Sequence, residues 1–222
     1  MDLQAIEAAL ENPDFQYRLQ AITALKDYEP EVALPLLLRQ VHDPEFLVRT
    51  FVAMGLGKQQ TAESFAALME IMKSDNTPSV RAEAANSLSL FGKVAASHLV
   101  LTFHQDDHWL VRRSIIAALA DLQCFHELWE VCQQSIDSAD EDLSVQGSSV
   151  DALGLLSGTT EKTKALNKLL ELAKFAPVYI RIRVAYALRN FQESSAQEAL
   201  SQLKEDPDHR VVGAALEGLL SD

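Results

Sequence analysis

Between Asp106 and Cys132 the chain gathers its most reactive residue types. Both tryptophans (Trp109, Trp129), both cysteines (Cys124, Cys132), His108 and His126 lie there, with His104 just upstream. Thiolates and imidazoles are ordinary zinc ligands, four at a structural site or three plus a water at a catalytic one. Cys124 and His126 are therefore the weak candidates for holding a metal or cluster. The pattern Cys-x-His-x5-Cys matches no standard zinc spacing. On a helix, His126 and Cys132 would point about 120° apart. A disulfide between Cys124 and Cys132 is disfavoured, because eight helical residues span about 12 Å and the bridge tolerates about 7 Å. No Ser/His/Asp set and no glycine-rich phosphate loop stands out. No catalytic residue and no cofactor is assigned from the sequence, and the expectation is a protein that is not an enzyme.

Composition narrows the classes. The net charge of −13 repels phosphate backbones, and no basic stripe offsets it, so nucleic acid is not an expected ligand. The same charge disfavours anionic membrane surfaces and favours proteins with basic patches. No apolar run approaches the roughly 18 residues of a membrane span. The start, MDLQAIEAAL, has no basic segment leading into an apolar one, as a secretory signal would. Two cysteines make no disulfide framework, which suits a reducing compartment. A cytoplasmic location is expected.

The elements that hold these residues repeat. Seven segments align: YRLQAITAL, VRTFVAMGL, VRAEAANSL, VRRSIIAAL, VQGSSVDAL, IRIRVAYAL and VVGAALEGL. Their second positions are Arg18, Arg49, Arg81, Arg112, Gln146, Arg181 and Val212, spaced by 31, 32, 31, 34, 35 and 31 residues. Each segment ends in leucine, from Leu25 to Leu219, preceded by alanine, serine or glycine. A small residue there lets a neighbouring helix come close; a large one would cost about 1–3 kcal/mol in overpacking. These segments predict one helix (A) per repeat, and the apolar periodicity after each turn predicts a second (B). In this register Cys132 and Trp129 fall on core positions of the fourth B helix, and Cys124 falls in the turn before it. Trp109 falls on a repeated packing site with Phe15, Phe46, Leu143 and Val178. Six residues before the arginine position stand Asn12, Asp43, Asp75, Asp106, Asp140, Phe175 and Asp206. An Asx there can accept amides at a turn or helix start. Pro13, Pro44 and Pro207 follow three of them and suit a helix start.

This DPxxxVR…A…AL unit resembles HEAT repeats, and it looks most like the phycobilisome-lyase HEAT-like group of cyanobacterial proteins. The fold expected is all-α, a right-handed α-solenoid of helix pairs forming one domain over 1–222. Residues 1–11 would cap the N-terminal end, 12–205 would form six repeats, and 206–222 would be a C-terminal half-repeat cap. The resemblance implies a polar ladder between repeats, carried by Asp43, Arg49, Asp75, Arg81, Asp106 and Arg112. It departs at Gln146, which replaces arginine, and at Phe175, which replaces aspartate. It also implies a cyanobacterial setting in which members attach bilins, handle phycobiliproteins or contact an iron–sulfur scaffold protein. The function expected is a scaffold or adaptor for phycobilisome or photosynthetic-complex assembly or turnover. A bilin-lyase-like subunit and an iron–sulfur scaffold partner are the alternatives.

A stacked solenoid exposes a long surface rather than a closed pocket. Reading the register of the B helices outward gives an expected partner-binding face of Leu36, Arg39, Glu70, His98, Leu101, Glu127, Glu130 and Glu171. It is acidic, with apolar points at Leu36 and Leu101. A further acidic stretch, Asp137 to Asp142, lies between the fourth and fifth repeats.

Overall fold

The computed structural model describes residues 1–138 and 142–217. Among them are fourteen α-helices and no strand. The sequence reading expects one domain; the helices cluster into two compact units, Met1–Leu122 and Gln123–Asp222, and each is described by itself.

In the first unit the A helices are α2 (Phe15–Ala24), α4 (Phe46–Gln59), α6 (Pro78–Ser89) and α8 (Trp109–Asp121). The B helices are α1 (Leu3–Leu10), α3 (Pro30–Arg39), α5 (Ala62–Ser74) and α7 (Ala96–Gln105). Helix α6 packs on both α4 and α8, and α5 lies against α4 and α6. The second unit repeats the scheme. Its B helices are α9 (Phe125–Asp137), α11 (Lys162–Phe175) and α13 (Ser194–Leu203), and its A helices are α10 (Leu143–Leu155), α12 (Val178–Leu188) and α14 (His209–Glu217). Helix α12 packs on α10 and α14.

The repeated leucine is the core of each pair. Leu25, Leu56, Leu88, Leu119, Leu153 and Leu188 are all buried, each worth roughly 1.5–3 kcal/mol of transfer free energy. The seventh, Leu219, lies outside the described residues. The small residues beside them allow close approach. A methyl built on Gly57 of α4 would stand 2.8 Å from the Ser87 Cβ of α6, and one on Gly154 of α10 would stand 3.2 Å from the Ala187 Cβ of α12. The turn from A to B passes through the left-handed region at Gln60 (φ 49°), Gly92 (φ 80°) and Gln123 (φ 54°), as helix C-terminal turns commonly do. The prolines sit differently from the expectation. Helices α2 and α4 begin at Phe15 and Phe46, capped by Asp14 and Glu45, so Pro13 and Pro44 lie before the cap, in the turn. The prolines in the first turn of a helix are Pro30 and Pro78.

A bidentate ion pair joins successive repeats. Arg18 grips Asp43 through Nε (2.7 Å) and Nη2 (2.9 Å). Arg49 grips Asp75 at 2.6 and 3.0 Å, Arg81 grips Asp106 at 2.6 and 3.1 Å, and Arg181 grips Asp206 at 2.8 and 2.9 Å. The remaining guanidinium nitrogen donates to a carbonyl of its own repeat's turn, at Asn12, Asp43, Asp75 and Ala176. Each aspartate also accepts the amide two residues on, from Glu45, Thr77, His108 and Asp208. The planar guanidinium fork matches a carboxylate as no ammonium does. Asp140, which the register aligns with these aspartates, lies outside the described residues.

Hydrogen bonds donated to the partner carboxylates raise the arginines above their ordinary value. Burial pushes the Asp75 carboxyl up, but Arg49 and the Thr77 amide outweigh it and hold it below the usual range. Arg181 holds Asp206 down in the same way. A depressed carboxyl contributes stability above its unfolded pKa of about 3.9 and loses it as the pH falls through the folded value. Unfolding in urea should therefore show a plateau down to about pH 4 and a fall below it. Arg49→Met, which leaves Asp75 buried without its cation, should cost about 3–5 kcal/mol at neutral pH and flatten part of that acid limb. An unchanged urea midpoint would contradict the structural role of the pair.

Candidate partner-binding faces

The crowded segment separates into unlike environments. Cys132 is fully buried in α9, and burial pushes its thiol up to about 12, so it sits in the core as a small apolar residue. Cys124, expected in the turn before the fourth B helix, occupies the N-cap position of α9 and is buried. Burial withholds it from reagents and from a solvent-borne cluster. Neither cysteine forms a disulfide. The His126 ring is exposed and turns instead to carboxylates, with Nε2 3.4 Å from Glu130 and Nδ1 3.8 Å from Glu161. Among the described residues no group of three His, Cys, Asp or Glu side chains is placed to hold a metal. Trp129 is buried beneath the ammonium of Lys164, 6.0 Å from the ring centroid.

Trp109 corrects the register reading. It is 40% exposed, and Phe46 (41%) and Leu143 (55%) in the same row are exposed too. Phe15 and Val178, the other members of the row, are half-buried. Trp109 stacks on His108 and carries the Arg113 guanidinium 5.6 Å from its centroid. His108 caps α8, its Nδ1 accepting the Leu110 amide at 3.2 Å.

The B helices present most of the expected face to solvent. In the first unit Arg39, Glu70 and Leu101 are exposed. His98 is half-buried, its ring edge-on to Phe65 at 5.7 Å. Leu36, expected on this surface, is buried. The Gln40 side chain, just after α3, donates to the Leu10 carbonyl of α1 at 3.4 Å. Helix α3 buries the wide arc of Ala33, Leu34, Leu36 and Leu37. In the second unit Glu130 and Glu171 are exposed and Glu127 is half-buried. Lys168 of α11 lies 2.7 Å from Asp137 of α9 and 3.2 Å from Glu171, tying the two B helices together. Glu161 is held below the usual range, first by its hydrogen bond from Lys164. The acidic stretch from Asp137 to Asp142 is described only at Asp137, Ser138 and Asp142. Asp142 caps α10 by accepting the Ser144 amide at 2.7 Å.

The two departures from the ladder meet inside the second unit. Gln146 of α10 reaches only the Ser138 carbonyl, at 3.3 Å. Phe175 ends α11 with 85% of its surface exposed. The residue two places after it, where the other repeats supply an amide to the aspartate, is Pro177, which has no N–H. A cleft of about 330 Å³ occupies this position, lined among others by Asp137, Gln146, Glu171, Phe175 and Ile180.

A family model described as HEAT repeats matches residues 3–89 and 41–120. No curated protein matches the chain significantly. Among solved structures, a chain of the complex of CpcE and CpcF of phycocyanin lyase from Nostoc sp. PCC7120 is similar, with a TM-score of 0.54 and 19% identity over 99% of this chain and 87% of that one. Human deoxyhypusine hydroxylase in complex with glycerol is similar with a TM-score of 0.50 and 16% identity, over 98% of this chain and 94% of that one. At these identities the likeness is one of fold. Among the described residues no helix is long and apolar enough to cross a membrane.

The thiols give a direct check on the packing of α9. In the native protein both cysteines should resist a thiol reagent over the time in which a small free thiol is consumed, and both should react once the chain is unfolded. Rapid native labelling at Cys124 would show that its pocket opens readily.

Proposed function

The chain belongs to the HEAT-repeat family, and on that premise we propose that it works as a non-enzymatic protein-binding scaffold. The observation that carries this reading is the exposure of B-helix carboxylates in each unit, Glu70 in the first and Glu130 and Glu171 in the second. Carboxylates projected from rigid helices, on a chain of net charge −13, suit a partner with a basic surface. Leu101, 53% exposed, offers an apolar contact on the same side of α7. The setting we propose is cytoplasmic, in a cyanobacterium, in the assembly or turnover of the phycobilisome or a photosynthetic complex. The fold likeness to a subunit from a phycocyanin lyase complex supports that setting. The same likeness favours a second reading, a bilin-lyase-like subunit that acts together with another chain.

Affinity purification from the native organism with mass spectrometry separates the two. A scaffold should retain a partner in a salt-sensitive way, because screening weakens exposed charge pairs. Glu70→Lys, Glu130→Lys and Glu171→Lys combined should reduce capture about tenfold or more, while thermal unfolding stays within a few degrees of the parent. A lyase subunit should bind bilin and, with its partner chain, transfer it to an apo-phycobiliprotein; a scaffold should not. Unchanged capture by the triple variant would remove the B-helix face from the proposal.

A further inference from the structure

We propose that the cleft at the broken rung is a socket for an arginine side chain of the bound partner, so that the rung missing within the chain is completed from outside. The inference rests on the scaffold reading above and names the contact it would use. At four other rungs an arginine and an aspartate fill this position and are engaged with each other and with turn backbone. Here both are gone, and their replacements do not close the gap. Gln146 reaches only the Ser138 carbonyl, and Phe175 brings no carboxylate and stays largely exposed at the rim of the cleft. The loss of the aspartate is matched by Pro177, which leaves no amide waiting for a carboxylate. The break is thus locally self-consistent, and what it leaves is space rather than an orphaned polar group.

The walls of that space suit a guanidinium on an aliphatic stem. Ile136, Val150, Leu172 and Ile180 supply apolar surface for the stem. Asp137 and Glu171 stand at the cleft and share the single ammonium of Lys168, so their charges sum to one negative. The nearby Arg181 is already engaged with Asp206 and the Ala176 carbonyl. The Ser138 carbonyl and the Gln146 amide oxygen are acceptors of the kind the ladder arginines use. Phe175 offers a ring face, on which a guanidinium gains a cation–π contact. Arginine fits better than lysine because its planar fork serves several acceptors while its face lies on a ring.

The test uses the full-length, isotope-labelled chain and three blocked tripeptides, Ala-Arg-Ala, Ala-Lys-Ala and the uncharged citrulline equivalent. The arginine peptide should shift the Gln146 side-chain amide and the backbone signals around Phe175. The citrulline peptide should bind about tenfold more weakly, since charge-assisted hydrogen bonds are about twice as strong as neutral ones. Phe175→Ala, at an exposed site that leaves the core untouched, should weaken the arginine peptide about two- to fivefold. Gln146→Arg with Phe175→Asp should rebuild the rung, fill the cleft and abolish the response. If that double variant fails to fold, Phe175→Ala decides alone. No arginine-dependent shift, equal binding of citrulline, an indifferent Phe175→Ala, or a folded double variant that still binds would each overturn the socket. If the peptides fail while native partner capture persists, the socket is wrong and the scaffold reading stands; if capture is also absent, the scaffold reading falls with it.

Discussion

A guanidinium that reaches from one helix pair to the carboxylate opening the next governs how these repeats stack. Hydrophobic burial alone would hold helices together in many registers, because leucines and alanines slide past each other at small cost. The fork between Arg49 and Asp75 does not slide: two nitrogens must meet two oxygens, while a third nitrogen meets the Asp43 carbonyl. Three fixed contacts at a buried point convert a greasy contact into a defined step. The same carboxylate orders the turn beyond it by accepting the Thr77 amide. Local turn geometry, inter-repeat register and a buried charge balance therefore share one group of atoms. That is why aspartate and arginine recur at these positions although both are expensive to bury.

Much of this could be read from spacing. The seven aligned segments place the A helices, and the leucine that closes each segment is buried wherever it is described. The reading of Cys132 and Trp129 as core residues rests on that register and agrees with their burial. Leu36, Cys124 and Trp109 show what register leaves out. Periodicity gives the phase of a side chain around its own helix, and says nothing about whether another element covers that phase. Leu36 is covered although its phase points away from the repeat's own core, and Trp109 is 40% exposed although its row recurs. Cys124 was aligned with turn residues of other repeats, but turns differ in how deeply they are tucked. The candidate face was legible as a pattern of carboxylates, whereas the cleft was legible only as two anomalies, Gln146 and Phe175. Their joint effect needed coordinates, since they lie 29 positions apart in the chain.

The break also shows how a repeat protein acquires individuality. A uniform stack offers the same groups at every step and so distinguishes partners poorly. Replacing one rung changes the local chemistry from a closed ion pair to an apolar hollow bordered by carboxylates, without disturbing the leucine core beneath. Leu153 and Leu188, on the A helices to either side, remain fully buried.

The offset of each rung has a consequence for what counts as a module. An arginine and its carboxylate stand 25 or 26 residues apart, and the carboxylate belongs to the approach of the following pair. A helix pair that carries such an arginine is therefore not self-sufficient. Excised at its visible ends, it would carry an arginine with no carboxylate to answer it. The smallest transplantable segment is a pair together with the threshold of its successor.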